Sequence, residues 1–314
     1  MVDITDFEGN PIKNPNYKCK DRQGKIDNKE FLSYHIDTDV KRKWDRLRNN
    51  NLVKADEDRC YIIDGKERAG KSLYALQQAK YIDPNFDVNN ICYTPNDFLE
   101  RVRNAPQGSV IVFDEAFRGL SSKGTQSKVN KAIVEAMMEM GQRNLVVFIV
   151  LPSFFMLEKY VTIHRSTALF HVFTGKPKRE GNKKPRMVRI YNGPKKAILY
   201  QQGKKKGFSY AFPKIKKKPA RFYEIYPVNR EEYLRKKLES LRRADNEKII
   251  AGESRFSIER KIFLANFWVY CKNKENMTQE RFCEMIKKVG VNLERSSLSG
   301  ILTEVRKMGK IVES

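Results

Sequence analysis

The sequence is poor in the residues that build metal centres and disulfide frameworks. Its 314 residues include only five cysteines and three histidines. The cysteines are odd in number, and no pair has the close spacing of a zinc site or a thiol redox motif. We therefore expect reduced thiols, as in a cytosolic protein, and no histidine-based metal or nucleophile site. The cysteines are Cys19, Cys60, Cys92, Cys271 and Cys283.

Targeting signals and long apolar runs are also missing. The first residues, 1–6, lack the basic and apolar regions of a secretion signal. The longest apolar stretch, residues 145–157, contains Pro152 and is too short to span a bilayer. These absences predict a soluble, cytoplasmic protein without integral membrane contact.

Acidic residues are few relative to basic ones. The 38 Asp and Glu residues face 62 Lys and Arg residues, which leaves a formal charge of +24. Residues 176–221 hold seventeen basic residues and a single acid, with aromatic residues interleaved. Such a strip can supply sequence-independent affinity for DNA, because each lysine that meets a phosphate releases counterions. A solvated charged surface and an anionic membrane contact remain open alternatives.

One motif dominates the sequence, the G-x-x-x-x-G-K-S pattern of residues 65–72. An apolar run, 60–63, predicts a strand before it, and the spacing of Leu73 and Leu76 predicts a helix after it. The two glycines permit turns that aim backbone N–H groups at phosphate oxygens, while Lys71 supplies positive charge and Ser72 a hydroxyl for Mg²⁺. The predicted ATP site comprises Gly65, Lys66, Glu67, Arg68, Ala69, Gly70, Lys71, Ser72 and Leu73.

Two carboxylates follow a second apolar run, residues 110–113. Such a run is typical of a central parallel strand, and ligands bind at the carboxyl ends of these strands. In phosphoryl transfer, one acid holds Mg²⁺ and another orients the attacking water. We therefore predict Asp114 and Ser72 as metal ligands, and Glu115 and Lys71 as catalytic residues. An acidic pair that caps the next helix is the alternative.

The segment after these acids has its own pattern. Residues 119–125 are small and polar and predict a mobile loop, which we expect to move when phosphate is released. A helical pattern then ends near Gly141 and is followed by Arg143, an apolar strand at 145–150 and a turn containing Ser153.

This order of motifs, over about residues 58–173, resembles the FtsK/HerA superfamily of ring-forming DNA translocases, which includes conjugation coupling proteins and viral genome-packaging ATPases. The resemblance implies an α/β fold with a RecA-like P-loop core and a mainly parallel sheet. It also implies ATP and Mg²⁺ as cofactors, DNA as partner, a homo-oligomeric ring expected to be a hexamer, and viral or conjugative partner proteins.

The same resemblance implies roles for residues near the sheet. Arg143 would act as a catalytic arginine finger in the neighbouring subunit, with Arg165 as second candidate. A surface salt bridge at a helix end is the open alternative for Arg143. The family often has a polar residue, usually Gln, where this chain has Leu151, and Ser153 is the candidate replacement.

The remaining chain predicts four domains or segments. Residues 1–57 form a lead-in that packs on the core through Trp44, and residues 58–226 form the ATPase core with a basic extension of β-hairpins, including strands at 187–191 and 197–200. Residues 227–254 form a charged connector helix with an apolar seam of Leu234, Leu238 and Leu241. Residues 255–314 form three helices and a strand at 310–312, which resemble a winged helix or a partner-docking bundle.

Three functions follow from these patterns. The first is an ATP-hydrolysing ring motor that translocates or packages DNA. The second is an ATP-dependent DNA-binding switch for plasmid maintenance or transcription control. The third is a membrane-associated assembly ATPase of the zonular occludens toxin type.

Overall fold

The computed structural model describes residues 1–20, 26–48, 51–114, 123–177, 184–251, 255–288, 290–291 and 293–310. The chain divides into two compact units, Met1–Ser240 and Leu241–Ser314. Within the described ranges, no helix is both long enough and apolar enough to cross a membrane.

The first unit is built on two sheets. A small antiparallel pair joins β1 and β2, and a seven-stranded sheet has the order β4-β5-β6-β3-β7-β8-β9. The five strands from β4 to β7 in this order are parallel, whereas β8 and β9 are antiparallel to their neighbours. The strands are β1 Val2–Asp3, β2 Ser33–Tyr34, β3 Arg59–Gly65, β4 Ile91–Cys92, β5 Val110–Phe113, β6 Val146–Val150, β7 Ala168–Thr174, β8 Arg186–Asn192 and β9 Ala220–Phe222.

Helices cover both faces of the large sheet, which explains why its central strands are continuous apolar runs. Along β3, Tyr61 and Ile63 belong to the hydrophobic core on the α3 face, while Cys60 and Ile62 belong to the core formed with α4, α5 and α6. The predicted α/β class with a mainly parallel sheet is therefore confirmed. The helices of this unit are α1 Thr38–Asp45, α2 Asn51–Ala55, α3 Lys71–Ile82, α4 Pro95–Asn104, α5 Lys123–Glu139, α6 Gly193–Lys205 and, continuing past the unit boundary, α7 Arg230–Ala251.

The amino-terminal segment packs on this core through α1. The side chain of Trp44 is fully buried, and its indole N–H donates to Oε1 of Gln78 on α3 at 2.8 Å. The indole also meets the rings of Tyr61 and Phe148 edge-on, with centroids 4.8 and 5.9 Å away. The predicted contact of Trp44 with the core is thus confirmed, and the indole N–H has the partner that a buried donor needs.

The predicted extension of β-hairpins is partly wrong. Residues 187–191 do form a strand, within β8, which pairs antiparallel with β7 and β9. Residues 197–200, however, lie inside helix α6. The Asn192 side chain accepts a hydrogen bond from the Lys195 N–H at 3.4 Å, and Pro194 occupies the first turn, so the chain has a helix start here. The short apolar run 197–200 therefore lies in a helix, where Leu199 and Tyr200 are buried and Ile198 is exposed.

The second unit has its own small core. It contains α8 Arg255–Glu275, α9 Gln279–Lys288 and α10 Arg295–Lys307, which confirms the three predicted helices. Trp268, Phe282 and Leu298 are buried together between them. Thr278 caps α9 as predicted, since its hydroxyl accepts from the Arg281 N–H at 3.4 Å. Residues 311–312 of the predicted final strand lie outside the described residues, so the winged helix stays a prediction.

Candidate nucleotide-binding site

The phosphate loop runs from the end of β3 to the start of α3. Gly65 ends β3 with φ +139°, and a Cβ built on it would lie 1.9 Å from the carbonyl oxygen of Val172 on β7. Gly70 precedes α3 with φ +99°. Gly65 must be glycine because a side chain there would collide with the backbone of β7. Gly70 must be glycine because other residues are strained in its left-handed backbone conformation. The loop therefore keeps the close approach of backbone groups that phosphate binding requires.

Lys71 folds back across this loop from the first turn of α3. Its ammonium donates to the carbonyl oxygens of Gly65 at 2.8 Å and Lys66 at 3.1 Å. The side chains of the three residues after Gly65 are exposed, whereas Ala69 and Leu73 are buried in the core next to the loop. The positive charge, the amide-rich turn and the amino end of α3 thus converge at one place.

Asp114 lies beside this loop. It follows β5 directly, and β6 separates β5 from β3 in the sheet. The Asp114 side chain is fully buried, and the Ser72 hydroxyl donates to its Oδ1 at 2.7 Å. The carboxyl end of β5 and the amino end of α3 therefore bring together the two predicted metal ligands.

These two oxygen donors fit a Mg²⁺ ion. Magnesium is usually bound by one or two carboxylates together with substrate phosphates and water. Within the described ranges, no cluster of three or more His, Cys, Asp or Glu side chains could hold a metal ion without ligands from phosphate or water. The site thus has the donor set of a metal–nucleotide complex and lacks that of a protein-only cage.

The predicted water-orienting acid, Glu115, lies outside the described residues, and its role stays a prediction. Most of the predicted mobile loop, residues 119–122, lies outside them as well. Residues 123–125 belong to helix α5, so the loop prediction is wrong for these three positions. The helix begins earlier than the small residues there suggested, because residue propensity is a weak predictor of where a helix starts.

The two candidate arginine fingers lie at the opposite edge of the sheet, before the starts of β6 and β7. Arg143 is exposed, and its guanidinium donates to the Ala105 carbonyl at 3.1 Å. Arg165 forms a two-pronged pair with Asp58, with one N–O distance of 2.7 Å. Neither reaches the phosphate loop of its own chain, so the finger role requires a second subunit and stays a prediction.

A buried polar cluster that adjoins the start of the loop was not predicted from the sequence. Asp64, the residue before Gly65, accepts from the Phe154 N–H at 2.9 Å and from the Tyr210 hydroxyl, and its other oxygen lies 2.8 Å from His171 Nδ1. Ser153, the candidate replacement for the family's polar residue, contacts this cluster through Tyr210 at 3.4 Å. The only sequence signal was a carboxylate inside an otherwise apolar strand, where an unpaired charge would be costly.

Sequence reasoning also misread the inner face of α7. The predicted apolar seam is wrong at Leu238, which is 57% exposed, whereas Tyr233 is buried. The Tyr233 hydroxyl donates to Asp114 Oδ2 at 3.1 Å, and the Lys237 ammonium lies 3.4 Å from the same oxygen. Burial, together with the Asp114 charge, raises the pKa of the Tyr233 phenol well above its ordinary value. The phenol therefore remains a hydrogen-bond donor.

No protein-family model matches the chain, and no curated protein matches its sequence. Solved structures with a similar core include the N-terminal domain of zonular occludens toxin from Neisseria meningitidis, at 13% identity and a TM-score of 0.26. The match covers 43% of this chain and 84% of that domain. The flagellar accessory protein FlaH from Methanocaldococcus jannaschii matches at 14% identity and a TM-score of 0.26, over 43% of this chain and 78% of FlaH. At these values the likeness identifies no family and no activity.

Proposed function

We propose that this protein is a magnesium-dependent ATPase that moves DNA. The observation that carries the ATPase proposal is the junction of Lys71, Ser72 and the buried Asp114 at the mouth of a glycine-bounded loop. Three groups with complementary tasks, a cation for phosphate oxygens and two oxygen donors for a metal, lie together there.

The chain's own residues would divide the chemistry as follows. The backbone N–H groups of residues 66–72 and the Lys71 ammonium bind and orient the phosphates. Asp114 and Ser72 would hold Mg²⁺, which neutralises charge on the β- and γ-phosphates when bound. Glu115 would orient the attacking water, and Arg143 of a neighbouring subunit would stabilise the charge that develops on the γ-phosphate.

The basic segment, defined here as residues 204–218, supports DNA as the partner. Lys205 and Lys206 are exposed at the end of α6, and Phe208 and Phe212 nearby are 59% and 41% exposed. The Lys206 ammonium lies 5.0 Å from the centre of the Phe212 ring. Exposed lysines beside exposed aromatic rings suit a nucleic acid, since phosphates meet the cations and bases can stack on the rings.

Ring assembly and DNA movement extend this proposal. The finger role proposed for Arg143 requires a neighbouring subunit, and we propose a hexameric ring. The resemblance to FtsK/HerA translocases makes genome packaging or conjugative transfer the proposed process, with viral or conjugative proteins as partners.

The test is ATP turnover measured with no DNA and with DNA fragments of increasing length. We expect turnover that DNA stimulates and that rises with fragment length, because a motor consumes ATP for each step along its track. Turnover stimulated by DNA but independent of length would favour the switch. Turnover that ignores DNA would favour an assembly ATPase, and no turnover under any condition would contradict the ATPase proposal.

The DNA surface can be tested separately. Changing both Lys205 and Lys206 to glutamine should weaken DNA binding and reduce the steepness of log affinity against log salt by about 1.4–1.8, since each phosphate contact contributes about 0.7–0.9. The matched control changes both Lys54 and Lys131 to glutamine, because these two exposed lysines lie outside the basic segment. Equal salt slopes for the double variant and the wild type would place the DNA elsewhere.

A further inference from the structure

The Asp114 carboxylate has three described side-chain partners. Its Oδ1 accepts from the Ser72 hydroxyl, and its Oδ2 accepts from the Tyr233 hydroxyl and the Lys237 ammonium. Tyr233 and Lys237 lie four residues apart, so they occupy the same face of α7. Helix α7 thus reaches the metal side of the nucleotide site with one donor and one cation.

The Lys237 ammonium balances the negative charge of the buried Asp114 carboxylate. The Asp114 side chain is 1% exposed and the Lys237 side chain 20% exposed, so water screens this pair little. A buried carboxylate without a nearby positive charge is strongly destabilising. Lys237 therefore neutralises Asp114 when the site holds no metal ion.

The same contact conflicts with magnesium binding. Ser72 and Asp114 would hold a Mg²⁺ ion through the same carboxylate that the Lys237 ammonium contacts. Two cations that share one carboxylate repel each other, and the repulsion is strong where water is excluded. Magnesium binding and the Lys237–Asp114 contact are therefore in competition.

We propose that Tyr233 and Lys237 are positioning residues of the nucleotide site, and that the Lys237 ammonium holds the cation position beside Asp114 until magnesium nucleotide displaces it. This inference rests on the proposed ATPase function. The displaced ammonium would leave Asp114 while the Tyr233 hydroxyl, which carries no charge, could keep orienting the carboxylate. Nucleotide binding thereby changes a contact of α7.

The experiment titrates Mg²⁺ into protein and a fluorescent ATP analogue and measures bound analogue at equilibrium. For Lys237→Met, which keeps the apolar stem but removes the charge, we expect half-maximal magnesium-dependent binding at about tenfold lower Mg²⁺, because the competing cation is gone. Lys237→Gln carries the same expectation and serves if the methionine variant does not fold. Lys237→Arg keeps the charge and should therefore need more Mg²⁺ than Lys237→Met does.

Thermal melting supplies a second readout. Without Mg²⁺ the methionine variant should melt below the wild type, because Asp114 has lost its counterion, and saturating magnesium nucleotide should narrow this gap. A purely structural lysine would lower both melting temperatures equally. The matched control is Lys236→Met, because the Lys236 ammonium donates to the Val88 carbonyl at 2.8 Å and does not contact Asp114 in this structure.

The outcomes separate the inference from the function on which it rests. If the wild type binds the analogue with Mg²⁺ but Lys237→Met shifts the titration no more than Lys236→Met, the inference is wrong and the ATPase proposal stands. A higher Mg²⁺ requirement in Lys237→Met would also overturn it, since the lysine would then assist the metal complex. If the wild type binds no more analogue than Lys71→Ala, the proposed nucleotide site fails, and the inference fails with it.

Discussion

Replacing Lys71 with alanine should lower the rate of ATP turnover by about a thousandfold, the scale seen when a charged or hydrogen-bonding group that stabilises a transition state is removed. The Lys71 ammonium is held across the loop by the Gly65 and Lys66 carbonyls, so its charge is already placed where phosphates would bind. A preoriented charge costs no reorganisation during the reaction. Steady-state phosphate release measures the effect.

Two comparisons make this result interpretable. Lys54→Ala removes an exposed lysine from α2, outside the proposed nucleotide site, and should leave turnover within about twofold of the wild type, as expected for a surface substitution. The Lys71 variant should melt near the wild type, since the described hydrogen bonds of the Lys71 ammonium go to backbone carbonyls of the loop and to no core side chain. Turnover above about a tenth of the wild-type rate in a folded Lys71→Ala protein would contradict the assigned site.

Replacing Gly65 with alanine should destabilise the first unit by about 3 kcal/mol or more, which lies at the upper end for point substitutions. The new Cβ would lie 1.9 Å from the Val172 carbonyl oxygen and 2.9 Å from its carbon, and both are backbone atoms of the paired strand β7. Neither can turn aside as a side chain would. The β3–β7 pairing or the loop must therefore shift, and ATP binding should weaken as well.

The measurement is the melting temperature, which should fall by roughly 6–12 °C at about 2–4 °C per kcal/mol for a unit of this size. The matched control is Gly193→Ala at the start of α6, where an added Cβ meets no heavy atom within 4 Å. That variant should be as stable as the wild type or slightly more stable. If both alanine variants melted at the same temperature, the close approach of β3 and β7 at Gly65 would be wrong.

The phosphate loop was predictable because all of its determinants are local. Gly65, Gly70, Lys71 and Ser72 lie within eight consecutive residues, and the strand before and the helix after them follow from short-range apolar patterns. Asp114 was predictable for a related reason. Carboxyl ends of parallel strands meet at one edge of the sheet, so a carboxylate that ends an apolar run has few other places to lie.

The incorrectly predicted elements are those in which the local sequence pattern and the tertiary packing favour different structures. Residues 197–200 form a short apolar run, which suits a strand or a buried helix segment equally, and the cap at Asn192 and the burial of Leu199 and Tyr200 favour the helix. In α7 the leucine spacing indicated one apolar face, but the buried face carries Tyr233 and leaves Leu238 exposed. A charged helix offers several faces of similar hydrophobicity, so its neighbours decide which one is buried.

The sequence by itself determined the α/β core, the excess of positive charge and a glycine-bounded loop with a carboxylate predicted beside it. Only the tertiary structure decided which distant groups complete the site. Asp64 meets His171 and Tyr210, which are 107 and 146 residues away, and Asp114 meets Tyr233 and Lys237, which are 119 and 123 residues away. The physical reason is that a buried carboxylate must find partners, but its need specifies neither their type nor their position along the chain.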